Sequence, residues 1–209
     1  MVINKLKIVI IIIVIALISS CKSCKNTICA DANNYSFNIN VQAYPSKDSI
    51  QVGDTIWLES NSPTQLKDSL MGNVIDYSGA KNLGTLITLL QFGSGANVIG
   101  AIKNFNINAV KGARFGNSTD PSSNEEYLFI EENNSFKLKI AIIAKDTGRF
   151  VLSVSNAAGV YKSNDVCTKA SFEIDFQNTD QHFYLLQLWR PDLMLDELGK
   201  PKVYYFKVY

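Results

Sequence analysis

Five stretches of this chain place an apolar side chain at every second position: residues 35–43, 105–109, 136–144, 150–154 and 172–176. In an extended strand successive side chains point to opposite faces, so this period of two makes one face apolar and the other polar. Tyr35, Phe37, Ile39, Val41 and Ala43 share one face of the first stretch, and Ser36, Asn38, Asn40 and Gln42 the other. A sheet built from such strands must bury its apolar face against a second layer. Helical periodicity is scarce, so that layer is expected to be another sheet.

The punctuation agrees. Pro45 ends the first stretch, and residues 49–59 read as two short strands about a Gly53-Asp54 turn. Lys145-Asp146-Thr147-Gly148 reads as the turn of a hairpin, with Asp early and Gly last. Residues 112–124 and 156–165 read as loops, 127–131 as a short strand and 203–209 as a terminal aromatic strand. His182, Leu185, Leu186 and Trp189 recur at helical spacing within residues 180–190, followed by Pro191. The expected fold is mainly β: an antiparallel β-sandwich over residues 35–209, with an insertion at 64–104 and a short C-terminal helix.

The segment DSIQVGDTIWLES with the later AKDTGRFVLSVSN resembles bacterial immunoglobulin-like domains. In those a strand–VGD–strand segment opens the fold and a D-x-G-x-[YF] turn lies between two core strands. The resemblance covers roughly residues 35–60 and 136–176 and implies an immunoglobulin-like sandwich. It implies no single function, because many unrelated activities are carried on this architecture.

The first 20 residues have another character. Lys5 and Lys7 precede an unbroken apolar run of 11 residues, 8–18, which is followed by Ser19, Ser20 and Cys21. A basic start, a short apolar middle and a small-residue exit are the parts of a secretory signal. Crossing a hydrocarbon core takes about 20 apolar residues, so this run is short for a membrane span. Ile18-Ser19-Ser20-Cys21 resembles the lipobox of bacterial lipoproteins. That resemblance implies removal of residues 1–20, acylation of Cys21, and a membrane partner reached through the N-terminal lipid. Residues 21–34 then form a polar tether. The expected location is the cell envelope, at the outer membrane of a diderm bacterium, facing the periplasm or the surface.

Cysteine pairing follows from that location. With Cys21 lipidated, Cys24, Cys29 and Cys167 remain in a compartment that permits disulfides. Cys29–Cys167 is the preferred pair, tying the start of the first strand to a late loop. A local Cys24–Cys29 bridge is the alternative.

Charge and motif content exclude several classes. The chain has 20 basic and 19 acidic residues and no basic stripe, which argues against a nucleic-acid partner. No cofactor and no metal site are expected, since there is a single histidine, His182, and no paired C-x-x-C. Gly93-Ser94-Gly95 after an apolar stretch suggests a dinucleotide loop, but the third glycine position holds Val98 and the flanks are not βαβ. The simpler reading is a flexible loop or a hairpin at the sandwich edge. No nucleophile elbow is present, and Glu125-Glu126 and Glu131-Glu132 are adjacent pairs that a strand splits between two faces. Asp192, Asp196 and Glu197 lack the spacing of a calcium loop. No catalytic residue is assigned.

Aromatic side chains are the remaining handle. Trp57, Tyr77, Tyr161 and Trp189 are the candidate ligand contacts, although the apolar neighbours of Trp57 and Trp189 also fit a core position. The expected function is a non-catalytic, lipid-anchored binding or structural module of the cell envelope whose ligand the sequence leaves open, a glycan or an envelope protein being the candidate partners. The alternatives are an adhesive or assembly component and, behind it, a glycan-acting hydrolase.

Overall fold

A computed structural model of the chain describes residues 34–94, 97–116, 120–193 and 200–209. The strands are β1 (Asn34–Tyr44), β2 (Ser49–Ile50), β3 (Thr55–Pro63), β4 (Gln65–Lys67), β5 (Val74–Asp76) and β6 (Ala80–Lys81). They continue with β7 (Gly84–Phe92), β8 (Val98–Gly100), β9 (Phe105–Lys111), β10 (Ala113–Arg114), β11 (Asn124–Leu128) and β12 (Ile130–Glu132). The last five are β13 (Ser135–Ala144), β14 (Gly148–Val154), β15 (Ala157–Lys162), β16 (Asp165–Phe176) and β17 (Val203–Val208). Among the described residues one α-helix, α1 (Phe183–Trp189), precedes β17. No helix among the described residues is long and apolar enough to cross a membrane.

Two sheets carry the fold. The first runs β12-β13-β3-β1-β16-β15-β6, with β9 also paired to β13. The second runs β10-β11-β7-β14-β17-β2, with β8 beside β7. The mainly β sandwich expected from the alternation is therefore what the chain forms. Among the described residues two pairings are parallel, β1 with β16 and β2 with β17, and the others are antiparallel.

The inner faces are those the alternation selects. Phe37, Ile39, Val41 and Ala43 of β1, Ile56 and Leu58 of β3, and Phe136, Leu138, Ile140 and Ile142 of β13 are all buried. Opposite them lie Ile87 and Leu89 of β7, Phe150 and Leu152 of β14, and Tyr204, Phe206 and Val208 of β17. Ring contacts organise this layer. Phe150 meets Phe105 edge-on at 4.9 Å between centroids and stacks on Phe206 at 5.7 Å. At another place Phe37 contacts Phe172 at 5.3 Å and Tyr77 at 5.1 Å.

Connections differ from expectation in an informative way. β13 and β14 do not form a hairpin: β13 pairs with β3, β9 and β12 in the first sheet, and β14 pairs with β7 and β17 in the second. The segments either side of Gly53-Asp54 likewise part, β2 to the second sheet and β3 to the first. Residues 127–131 divide at Phe129 in the same manner. The reason is physical: alternation says which face is buried, and it reads the same for strands paired edge to edge or stacked face to face. The 64–104 segment also divides. Its first part makes the small β4–β5 hairpin and β6, whereas β7 is a central strand of the second sheet between β11 and β14. The 156–165 stretch expected as loop contains β15.

Gly93 and Ser94 follow β7, and β8 returns antiparallel with Leu90 opposite Gly100 and Phe92 opposite Val98. The segment is thus a hairpin rather than a loop, with only β8 peripheral, and it has none of the strand–helix geometry a dinucleotide loop requires. Gly95 lies outside the described residues. The helix is shorter than residues 180–190 and starts after His182, which has a left-handed backbone (φ 53°).

Phe150 is fully buried and central to the ring cluster. Phe150→Ala should lower unfolding free energy by about 3–5 kcal/mol. Asn61→Ala, on the exposed polar face, should change it by less than about 0.5 kcal/mol. Denaturant midpoints of the two variants check this.

Candidate ligand face

The four aromatic candidates go to four different places. Tyr77 is fully buried, against Phe37 and Phe172, and its hydroxyl donates to the carbonyls of Val160 (2.9 Å) and Thr168 (3.2 Å). Burial pushes the phenol up to about 12. Tyr77 is thus a core residue with satisfied polar atoms rather than a ligand contact. Trp189 is half-buried and rests on Phe92 (5.6 Å) and Tyr205 (6.4 Å), in a small apolar cluster that also holds Val151, Leu185 and Leu186. There it helps seat α1 on the outer face of the second sheet. Tyr161 is half-buried on β15, opposite Lys81 and Lys169. Three strand spacings, about 14 Å, separate β15 from β3, so Tyr161 and Trp57 do not converge.

Trp57 is the candidate that reaches a built surface. Ile56 and Leu58 of β3 point into the core, so Thr55, Trp57, Glu59 and Asn61 line the outer face of the first sheet. Tyr44 of β1 is its register partner, and the two rings lie near-parallel at 6.5 Å. Lys139 of β13, opposite Glu59 in register, extends its ammonium over both rings, 5.1 Å from the Trp57 centroid and 5.6 Å from that of Tyr44. Glu59 closes the group. It accepts the Tyr44 hydroxyl at 2.6 Å and pairs with Lys139 at 3.3 Å.

These contacts set the electrostatics. The Tyr44 hydroxyl bond, with Lys139 behind it, holds the Glu59 carboxyl below the usual carboxylate value. The Tyr44 hydroxyl and Glu59 raise the Lys139 ammonium above the usual lysine value. Both charges stay ionised across the neutral range. An exposed cation over an aromatic face contributes about 0.5–1 kcal/mol, and a surface ion pair about 0–1 kcal/mol. The group therefore orients its side chains more than it stabilises the fold.

Two shallow depressions flank it, sharing the Glu59-Ser60-Asn61 stretch. One, of about 270 Å³, is lined by Asn40, Gln42, Gln177 and Asn178 and is rich in side-chain amides. The other, of about 380 Å³, is lined by Lys111, Lys137, Lys139 and Val110. Aromatic faces, amide donors and acceptors, and ammonium groups on a rigid sheet can stack on and hydrogen-bond a polar ligand. Sequence reasoning singled out Trp57 and passed over Tyr44, Gln42, Asn40 and Glu59. Their signal was present in the polar half of the alternation.

Other reactive groups have structural partners. Glu125 is buried, accepts the Tyr127 hydroxyl and pairs with Arg114 at 2.9 Å. Glu132 bonds Lys111 and Lys137. His182 is buried, with Nδ1 at 3.0 Å from the Tyr205 carbonyl, and Asp192 is held by Arg190. No cluster of three or more His, Cys, Asp or Glu side chains able to hold a metal occurs among the described residues; Asp196 and Glu197 lie outside them. Cys167 is disulfide-bonded, and its partner lies outside the described residues, as do Cys21, Cys24 and Cys29.

No family model and no curated protein sequence matches the chain. Among solved structures, one similar chain comes from the "Crystal structure of Coh-OlpA-Doc918 complex: A novel type I Cohesin-Dockerin complex from Clostridium thermocellum ATTC 27405". The match has a TM-score of 0.28 and 11% identity, covering 66% of this chain and 99% of that one. Likeness at that level supports no inference about fold or function.

Tyr44→Phe removes the hydroxyl that depresses Glu59 while keeping the ring. The Glu59 carboxyl should then titrate closer to its ordinary 4.5 in a carbon-13 NMR titration. The depressed value in the parent stabilises the fold at neutral pH, and that contribution fades as pH falls through the folded-state value. In the variant the acid-side loss attributable to Glu59 should begin at the same pH, set by the unfolded chain, but be complete at a higher pH and be smaller in total.

Proposed function

We propose that this chain is a lipid-anchored binding module of the bacterial cell envelope, non-catalytic, whose ligand lies on the outer face of the first sheet. The single observation that carries the binding half is the Tyr44–Trp57–Glu59–Lys139 platform between an amide-lined and a lysine-lined depression. Flat aromatic faces beside fixed amides suit a glycan, whose rings are apolar on their faces and hydroxylated at their edges.

The envelope half draws on the leader, the Ile18-Ser19-Ser20-Cys21 box and the disulfide at Cys167, since disulfides persist in oxidising compartments. Cys29 is the proposed partner of Cys167. The parallel β1–β16 ladder begins at Asn34 opposite Lys169, so Cys167 stands two residues before its start and Cys29 five. Such a bridge closes a loop of more than 100 residues, worth about 4.7 kcal/mol in the chain-entropy model.

Cell-wall oligosaccharides titrated against the protein should shift its tryptophan emission. Trp57→Ala should weaken binding about tenfold or more, and Trp189→Phe should leave it unchanged. Equal affinity of Trp57→Ala and parent would remove the platform from the binding site. For the anchor, a fatty-acid probe fed to cells should label the parent and not Cys21→Ala.

A further inference from the structure

The β4–β5 hairpin ends in a turn that presents Leu70, Met71 and Val74 to solvent, 68%, 76% and 65% exposed. These are among the most exposed large apolar side chains in the described chain, and they stand within five residues of one another. The backbone that carries them is fixed by hydrogen bonds. Asp68 is buried at its base, and its carboxylate accepts the backbone N–H groups of Ser36 (2.9 Å), Leu70 (3.4 Å) and Met71 (3.1 Å). The Asp68 backbone bonds Asn73 and Gly72, both at 2.8 Å, and Gly72 takes the left-handed conformation the turn needs (φ 77°).

The turn lies beside the start of β1. Ser69 donates its backbone N–H to the Ser36 carbonyl at 2.7 Å, and its hydroxyl bonds Asn38, so the tip is stapled to the first residues of β1. Asn34, where β1 begins, is joined to Cys21 by only 12 intervening residues, about 40 Å at full stretch. Lys67 flanks the tip, and Lys22 and Lys25 lie on the connecting segment. Asp68, the one carboxylate between residues 67 and 75, is turned inward to the backbone.

We propose that Leu70, Met71 and Val74 insert into the interfacial layer of the lipid leaflet that holds the Cys21 acyl chains, docking the domain on its membrane. This rests on the reading of Cys21 as the lipid-bearing residue. Apolar side chains on a rigid tip, flanked by lysine, bind a bilayer interface through buried apolar area and attraction to anionic headgroups. A single lipid attachment leaves a tethered domain free to tumble; a second contact at the same end orients it.

The test uses the mature chain with Cys21→Ser, which has no lipid, and flotation with phosphatidylethanolamine–phosphatidylglycerol vesicles. The parent tip should float with vesicles at millimolar lipid. Leu70→Ser/Met71→Ser/Val74→Ser should reduce the bound fraction about tenfold while keeping the parent circular dichroism spectrum, since all three side chains are exposed. Equal flotation of both chains, or of neither, overturns the proposal. Flotation with protein-containing envelope membranes but not pure lipid also overturns it, in favour of a protein partner. Fatty-acid labelling of the wild-type chain reads the anchor independently: labelling without tip-dependent flotation sinks the docking alone, and tip-dependent flotation without labelling sinks the anchor alone.

Discussion

The face-to-face packing of two apolar sheet surfaces is the constraint from which the rest of this molecule follows. Phe37, Ile39, Leu58, Ile140 and Phe172 from one sheet, and Ile87, Leu152, Tyr204 and Phe206 from the other, are fully buried. Burial of such side chains contributes roughly 1.5–3 kcal/mol each before conformational entropy is counted. Because a strand alternates, committing these residues inward commits their neighbours outward. Trp57 is outside because Ile56 and Leu58 are inside, and Asn40 and Gln42 are outside because Ile39, Val41 and Ala43 are inside. The proposed ligand face is the obligatory reverse side of the core.

The two outer faces are then treated differently. The second sheet has apolar residues on its outer side as well, Val151 and Tyr205 with Leu90 and Phe92 nearby, and α1 lies over them through Leu185, Leu186 and Trp189. The first sheet turns Asn, Gln, Glu and Lys side chains outward, and only Tyr44 and Trp57 give this part of it aromatic surface. Lys139 and Glu59 hold those rings in place. An aromatic pair on a polar sheet can be wetted and yet offer flat apolar area, which is what a polar ligand with apolar ring faces needs.

How much of this was legible in the sequence divides along the same physical line. Strand existence and facing were legible, because burial imposes the period of two: the inward sets of β1, β13, β14 and β16 are those the alternation selects. Strand partnership was not. Lys145 to Thr147 could close a hairpin or carry the chain across the sandwich, and the flanking apolar sets are identical in either case. β15 was hidden because Ala157, Ala158 and Gly159 contribute little apolar contrast, and the central place of β7 because Leu89 and Leu90 are consecutive apolar residues with packing on both faces, which alternation does not mark. Tyr77 looked like a surface aromatic because it lies in a polar neighbourhood of Asp76, Ser78 and Gly79. Its burial depends on β15 and β16, whose carbonyls its hydroxyl meets from more than 80 residues away.

The sharpest measurement is therefore of strand partnership around β14, on which both the core and the outward facing of Trp57 depend. Backbone nuclear Overhauser contacts in an isotope-labelled sample read it directly. The sandwich predicts cross-strand contacts from Leu152 to Leu89 on one side and to Tyr204 on the other. It also predicts contacts from Ile142 to Ile56 and Ile107. A ladder of contacts between β13 and β14, with Ile142 beside Phe150, would mean a hairpin within one sheet and would contradict both the core and the ligand face described above.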